Sequence, residues 1–213
     1  FPVPADRSAC DSEVSVITSK NLNRRNFIMR KNFGTKPWFY PLPVLIIGSY
    51  EEDGTPDAMN AAWGGLYDAD KVVLCLSEGH KTTANIKSKG AFTVSFADAA
   101  HVTEADYVGL ESANQVKDKI AKAGLHVSKS EYVDAPVIDE FPLTLDCELL
   151  KVSEDGNIIG KIVNVSADES ILGEDGKIDS AKLQAISFDP VHNAYLKLSE
   201  KVGNAFQDGA KLK

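Results

Sequence analysis

A long β-hairpin is predicted in the second half of the sequence. Leu143–Val152 and Ile158–Val165 are both rich in apolar residues, and the turn Glu154-Asp155-Gly156-Asn157 lies between them. An Asp-Gly pair between two such segments is a strong signal for a tight antiparallel turn, because glycine readily adopts the positive φ that the turn requires. A second such pair, Asp53-Gly54, follows the predicted strand Val44–Tyr50. The chain is therefore expected to fold mainly into antiparallel β-sheet.

Shorter strands are predicted elsewhere, at residues 58–63, 72–76, 92–96 and 185–188. Gly64-Gly65 is expected to end the first of these, and Gly90 to end a short helix that begins near Thr82. Residues 98–124 are expected to be mostly helical, and 194–213 to form a terminal strand or helix. Many antiparallel strands with hairpin turns and one strand–helix–strand unit favour a closed or nearly closed small β-barrel.

Composition and charge limit the function classes. The 213 residues are 43% hydrophobic and 25% charged, as in an ordinary globular domain. The net charge of −8 argues against a nucleic-acid partner, because such binding depends largely on lysine and arginine contacts to phosphates. No stretch approaches the ~20 apolar residues of a membrane-spanning helix, so no membrane partner is expected.

The cysteines predict a reducing compartment. Cys10, Cys75 and Cys147 are odd in number and far apart in sequence, so they predict no disulfide framework. We therefore expect a cytoplasmic protein. Cys75 and Cys147 lie in strand-like patterns and are expected to be buried, inert thiols.

Residues 1–28 are predicted to be an N-terminal extension that precedes a domain at 29–213. They are polar and aperiodic, and Met29 is followed by Arg30 and Lys31 in the manner of a natural start. They also lack the continuous apolar segment of a secretory signal. A processed leader, an upstream extension, a remnant of an expression vector and a native arm that packs on a partner subunit are the alternatives.

The segment 74–96 predicts a site for a phosphate group. A strand ending in Leu74-Cys75-Leu76-Ser77 leads into a turn that carries Lys81, Thr82 and Thr83, and a short helix begins at that turn. A helix N-terminus presents unpaired backbone N–H groups and the positive end of the helix dipole, and both favour an anion. Lys81 adds a positive charge, while Thr82 and Thr83 add hydroxyl donors.

A second segment predicts a surface for a flat ring. Asp57–Gly65 combines small residues with the amide of Asn60 and the indole of Trp63. Small side chains let a ring approach the backbone, whose N–H groups then hydrogen-bond ring carbonyls and nitrogens. Tight packing inside a barrel is the alternative explanation for these small residues. Together with the phosphate turn that follows, the segment favours a mononucleotide with a planar ring.

Motifs of other enzyme classes are missing. The sequence has no Gly-x-x-x-x-Gly-Lys-Ser/Thr phosphate loop, no Gly-x-Gly-x-x-Gly dinucleotide motif and no Gly-x-Ser-x-Gly nucleophile elbow. The histidines are too isolated for the ligand spacings of a zinc site. A metalloenzyme or a serine hydrolase is therefore not expected, and no metal ligand is predicted.

Several short motifs occur in a characteristic order and spacing: Pro41-Leu42-Pro43-Val44, Asn60–Gly65, His80–Ile86, Phe92–Phe96, Asp189–Tyr195 and Gly203–Gly209. Through them, residues 33–213 resemble the flavin reductase-like proteins with an FMN-binding split barrel, particularly the flavoredoxin-like branch. The resemblance implies a six-stranded antiparallel Greek-key split β-barrel with short helices. It also implies a homodimer, with FMN bound in a cleft near the subunit interface.

The resemblance also implies which residues contact FMN. The ring is matched to one strand, whose residues are Met59, Asn60, Ala61, Ala62 and Trp63. The phosphate and ribityl chain are matched to the turn and helix that follow, with the candidates Lys81, Thr82, Thr83, Asn85 and, at the end of the preceding strand, Ser77. His80 is a further candidate for the phosphate, and His192 for the nicotinamide side.

The implied activity is that of an FMN-dependent oxidoreductase. It would take hydride from NADH or NADPH and deliver electrons to free flavin, oxygen or a partner protein. The flavin itself performs the electron chemistry, so no catalytic side chain is nominated. The alternative is a flavoredoxin-like electron carrier without direct NAD(P)H turnover, whose acidic surface would steer it to a basic redox partner. A flavin-free barrel that acts as an interaction module is a third possibility.

Overall fold

Residues 30–198 and 200–213 are described by the computed structural model. The chain divides into two units, residues 1–36 and 37–213, and every helix and strand given below lies in the second unit. The predicted extension, residues 1–28, lies outside the described residues, as does Cys10. The domain boundary after residue 28 therefore stays a prediction.

The described elements are twelve strands and four α-helices. The strands are β1 Leu42–Pro43, β2 Leu45–Tyr50, β3 Pro56–Ala61, β4 Gly64–Asp68, β5 Lys71–Leu74, β6 Ala91–Phe96, β7 Val127–Lys129, β8 Pro136–Ile138, β9 Leu143–Val152, β10 Ile158–Ala167, β11 Ile186–Asp189 and β12 Ala194–Lys197. The α-helices are α1 Lys81–Lys89, α2 Val102–Leu110, α3 Lys119–Lys122 and α4 Ser180–Leu183. Two 3₁₀ helices cover Glu169–Ile171 and Asp208–Leu212.

Seven strands form one antiparallel sheet in the order β3-β2-β6-β9-β10-β5-β4. Its two edge strands, β3 and β4, follow each other in the chain and are separated by Ala62 and Trp63 alone. Because two residues span at most about 7 Å, the sheet must curl until its two edges meet. We call the meeting point, residues 61–64, the seam. The curled sheet confirms the predicted mainly β, split-barrel fold class, but it has seven strands where six were predicted, because β4 and β5 form a separate hairpin at one edge.

Both predicted Asp-Gly hairpins are confirmed. β9 and β10 pair antiparallel, with Ile158 opposite Val152 at the turn. β2 and β3 pair in the same way, with Tyr50 opposite Pro56. The remaining strands form a three-stranded sheet, β1-β11-β12, and a two-stranded sheet, β7-β8.

β2 is buried on both faces, and this places the helices. Leu45 and Ile47 belong to the core inside the barrel, to which α1 contributes Ile86. Ile46 on the opposite face belongs to a second core, to which α2 contributes Val108. Because successive residues of a strand point to opposite faces, one continuous apolar run supplies both cores. Both helices are therefore fixed against the strands that carry the site.

Two expectations, one at the seam and one just after β5, were wrong. Gly64-Gly65 does not end the strands, because Gly64 begins β4 and pairs with Leu74 of β5. A side chain at Gly64 would place Cβ 2.8 Å from Cδ2 of Leu74, so glycine allows the close approach of the two strands. Cys75 is exposed rather than buried, because the strand alternation turns Leu74 and Leu76 into the core and Cys75 outward. Cys147 is buried as expected, and burial raises the pKa of its thiol to about 12.

The segment 98–124 is less helical than predicted. α2 covers 9 residues and α3 covers 4, and a loop of turns joins them over 111–118. None of the described helices has the length and apolar character that crossing a bilayer requires. Within residues 30–198 and 200–213, no group of three or more histidine, cysteine or acidic side chains is placed to hold a metal ion.

Candidate functional site

Two adjoining cavities open beside the seam. The first, here called the helix cavity, has a volume of about 220 Å³ and is lined by Met59, His80, Lys81, Thr82, Val108, Gly109, Leu110, Glu111, Ser112, Ala113 and Lys119. The second, here called the seam cavity, has a volume of about 340 Å³ and is lined by Asn60, Ala62, Trp63, Asp106, Gly109, Leu110, Phe188 and Tyr195. Gly109 and Leu110 belong to both, so the two spaces share a wall at the end of α2.

The helix cavity is lined by the N-terminus of α1. The N-cap residue, His80, makes no side-chain capping bond, and the first turn holds no acidic residue. The backbone N–H groups of Lys81, Thr82 and Thr83 lie in that first turn, where a helix offers them no partner. An uncapped helix start with a lysine at its first position is electrostatically suited to an anion.

The threonine hydroxyls of this turn are engaged within the protein. Thr82 Oγ1 donates to Asp57 Oδ2 at 2.5 Å, and Thr83 Oγ1 donates to the carbonyl oxygen of Ser77 at 2.9 Å. Both hydroxyl hydrogens are thus already used. The donors that the turn offers to an anion are therefore its backbone N–H groups and the ammonium groups nearby.

Lys119 is a cavity residue that the sequence analysis missed. Its side chain is 3% exposed, and its Nζ lies 3.0 Å from Asp57 Oδ1, whose side chain is 0% exposed. Nζ also donates to the carbonyl oxygens of Glu111 at 3.1 Å and Val108 at 3.4 Å. A lysine in a short helix carries no local signal of burial, so only the tertiary contact with Asp57 identifies it.

Lys81 shares a carboxylate with Lys117. Glu51 Oε2 lies 2.9 Å from Nζ of Lys81 and 2.7 Å from Nζ of Lys117, and the Glu51 side chain is buried. Burial alone would raise the pKa of Glu51, but the hydrogen bonds and charges of Lys117 and Lys81 outweigh it and lower the pKa. The ionised Glu51 therefore holds Lys81 in place at the edge of the helix cavity.

The seam cavity combines polar groups with aromatic walls. Asn60 Nδ2 donates to the carbonyl oxygen of Ala105 at 3.0 Å, which fixes the amide against α2. Tyr195 Oη donates to Asp106 Oδ1 at 2.7 Å. Burial and the carboxylate of Asp106 raise the pKa of Tyr195 to about 12, so its hydroxyl stays protonated at neutral pH. A Cβ at Gly109 would lie 2.8 Å from that of Asn60, so glycine is required for this close contact.

The structure brings six of the ten predicted FMN contacts to these cavities. Met59, Lys81 and Thr82 line the helix cavity, and Asn60, Ala62 and Trp63 line the seam cavity. Four line neither: Ala61 lies in the core, Thr83 and Asn85 are buried with Asn85 Nδ2 donating to Ser49 Oγ, and Ser77 lines a separate cleft with Glu78 and Lys87. Their roles toward FMN stay predictions.

The two candidate histidines lie in different surroundings. His80 lines the helix cavity. His192 lines neither cavity, and its side chain is 74% exposed with Nδ1 2.7 Å from Asp189 Oδ2. His80 therefore remains a candidate for the phosphate, whereas the position of His192 lends no support to a contact in the seam cavity.

Comparison with known proteins matches the chain to one family. The family model of the flavin reductase like domain matches residues 38–182, which include both cavities except for Phe188 and Tyr195. An uncharacterized protein of Aeropyrum pernix is 27% identical over 121 residues, which are 55% of this chain and 45% of that protein. The match thus spans less than half of that relative.

Two flavoredoxin structures are similar over nearly the whole domain. Flavoredoxin of Desulfovibrio vulgaris (Miyazaki F) is 36% identical with a TM-score of 0.82, and the match covers 85% of this chain and 100% of that one. Flavoredoxin from Methanosarcina acetivorans is 26% identical with a TM-score of 0.79, and the match covers 87% of this chain and 100% of that one.

Proposed function

This chain belongs to the flavin reductase-like family, in its flavoredoxin branch, and from that premise we propose that it is an FMN-dependent oxidoreductase. It takes hydride from NADH or NADPH and passes electrons to free flavin, oxygen or a protein acceptor. One observation supports this above the others: a cavity lined by an uncapped helix N-terminus adjoins a cavity with small-residue and aromatic walls. That pair of spaces suits the phosphate and the ring of one mononucleotide.

The residues present fit FMN in a definite way. The helix cavity would hold the phosphate through the first N–H groups of α1, with Lys81 supplying positive charge, while Lys119 balances the buried carboxylate of Asp57 beside the cavity. The seam cavity would hold the ring, with Asn60 and Trp63 on its walls. Bound FMN supplies the electron-transfer chemistry, while the chain binds and orients it. Ala61 and Thr83 would contribute backbone N–H groups rather than side chains.

A flavoredoxin-like electron carrier is the second candidate function. The 36% identity to a flavoredoxin over that protein's full length favours it, as does the net charge of −8. An acidic surface steers association with a basic redox partner, and the rate then falls as salt rises. The proposed compartment is the cytoplasm, on the strength of the unpaired cysteine pattern.

An absorbance spectrum followed by anaerobic titration tests both functions. The purified protein, incubated with FMN and desalted, is expected to show the bands of bound flavin. Anaerobic NADH or NADPH should then bleach those bands. A flavin that dithionite reduces but neither nicotinamide does would contradict the reductase and support the carrier. A colourless protein that rejects added FMN would contradict both.

We also propose a homodimer that covers the seam. β4 is an edge strand of the main sheet, yet Leu66 and Tyr67 on it are 74% and 54% exposed, and neighbouring Trp63 is 57% exposed. An apolar edge strand of this kind is a surface that a partner chain stabilises by covering it. The proposed interface is therefore continuous with the wall of the seam cavity.

Replacing Leu66 with glutamate is expected to shift the protein from dimer to monomer, because a charge is then buried in an apolar interface. Light scattering coupled to size-exclusion chromatography measures the mass directly. Ile178→Glu is the matched control, since Ile178 is also exposed, at 41%, but belongs to the bridge with Leu172 that precedes α4 and not to β4. A wild-type monomer, or an L66E protein that remains dimeric, would contradict the proposed interface.

A further inference from the structure

We propose that Asp106 lowers the reduction potential of the flavin held at the seam and so makes it a stronger reductant. The inference rests on the proposed function, because it requires FMN in the seam cavity. Asp106 is the acidic residue among the described residues that line this cavity. It lies on α2, outside the segments from which ring contacts were predicted.

The position of Asp106 is fixed from several sides. Its neighbour Ala105 is fully buried in the second core, and the Ala105 carbonyl oxygen accepts a hydrogen bond from Asn60 at 3.0 Å. One turn later, Val108 is also fully buried. α2 is therefore held rigidly against β3, and the carboxylate has little freedom to move away from a ring in the cavity.

The contacts of Asp106 orient its charge without cancelling it. Tyr195 donates its hydroxyl hydrogen to Oδ1 at 2.7 Å and is itself neutral. No lysine, arginine or histidine among residues 30–198 and 200–213 lies within ion-pair distance of Asp106. In contrast, Glu51 and Asp57 beside the helix cavity are each paired with lysine. The seam cavity thus has an uncompensated negative charge on its wall.

This charge acts differently on the two oxidation states of flavin. With FMN bound in the seam cavity, hydride from a reduced nicotinamide would give the neutral oxidised ring two electrons and a proton, and the nicotinamide would be oxidised in exchange. The reduced ring would then carry one negative charge at neutral pH. Coulomb repulsion from Asp106 therefore disfavours the reduced form, and it is strong where little water screens it. The oxidised form is affected far less.

Asp106→Asn tests the inference, because it removes the charge and keeps the size of the side chain. The variant is expected to favour reduced over oxidised FMN by about tenfold relative to wild type, which raises the two-electron midpoint potential by about 30 mV. The potential is measured on the FMN-loaded protein by anaerobic titration against a reference dye. The dissociation constant of oxidised FMN, measured separately by fluorescence quenching, is expected to change little.

Glu104→Gln is the matched control, since it removes the same charge from the same helix but lies on neither cavity wall. It is expected to leave the potential unchanged. An unchanged or lower potential in D106N would overturn the inference. So would an equal loss of affinity for oxidised and reduced FMN, because that result indicates a purely structural role for Asp106. Wild-type protein that binds no FMN would instead overturn the proposed function.

Tyr195→Phe supplies a second variant should D106N fail to fold. It removes the hydroxyl that partly screens the carboxylate and retains the charge. The potential is therefore expected to fall, with reduced FMN disfavoured about threefold further. A rise in potential in Y195F would contradict the role assigned to Asp106.

Discussion

Lys119→Met is expected to destabilise the fold by about 3–5 kcal/mol, because it leaves the carboxylate of Asp57 buried without a compensating charge. The two charged groups lie 3.0 Å apart with side chains 3% and 0% exposed, so water cannot replace the lost partner. Denaturation by urea, followed by circular dichroism, measures the free energy of unfolding. The same variant should also bind FMN more weakly, since the uncompensated carboxylate of Asp57, which bonds Thr82 in the first turn of α1, would repel the phosphate.

Lys122→Met is the matched control for this effect. Lys122 lies in the same short helix and pairs with Asp118, but its side chain is 53% exposed, so its removal should leave the free energy of unfolding nearly unchanged. In the double variant Asp57→Asn, Lys119→Met both charges are gone, and part of the lost stability should return. A decrease of less than about 1 kcal/mol in the free energy of unfolding of K119M would contradict the stabilising role of the buried ion pair.

Lys81→Ala is expected to weaken FMN binding by about 1.5–3 kcal/mol, the scale of a charged hydrogen bond to phosphate. This corresponds to roughly a ten- to 150-fold rise in the dissociation constant. The structure explains why folding should be less affected: Glu51 keeps Lys117 as a partner at 2.7 Å after Lys81 is removed. Quenching of FMN fluorescence on titration with protein measures the affinity.

Lys87→Ala provides the comparison for Lys81. Lys87 lies in the same helix but lines a different cleft. Its replacement should therefore leave the affinity for FMN unchanged. If Lys81→Ala binds FMN as tightly as wild type, the first turn of α1 does not hold the phosphate. Riboflavin, which lacks the phosphate, should bind both variants and the wild type alike.

Local sequence predicted the elements that depend on neighbouring residues. The hairpin of β9 and β10 follows from an Asp-Gly turn between two apolar segments, and α1 begins at Lys81 and ends before Gly90, close to its expected bounds. Such features need no distant partner, because turn geometry and helix capping are decided within a few residues. The Thr82 and Thr83 hydroxyls show the limit, since their acceptors lie outside the helix.

Contacts between distant parts of the chain were not predictable in this way. Tyr195 and Asp106 are 89 positions apart, and Lys117 and Glu51 are 66 positions apart, yet each pair is hydrogen-bonded. Neither pair carries a local pattern, because the residues around each partner do not indicate which distant residue it will meet. Cys75 was also misplaced: its backbone N–H donates to the carbonyl oxygen of Trp63 just after β5 ends, and its side chain points outward while Leu74 and Leu76 are buried.

Composition, turn signals and short motifs were sufficient for the antiparallel sheet, for the helix start that suits a phosphate, and for the family resemblance. These properties are local or additive along the chain, so they can be predicted without the tertiary structure. Only the tertiary structure shows the curled sheet that brings the ends of β3 and β4 together, the buried Asp57–Lys119 pair and the Asp106 carboxylate without an ion-pair partner. Each depends on which distant residues meet, and that is settled by how the sheet curls and where α2 packs.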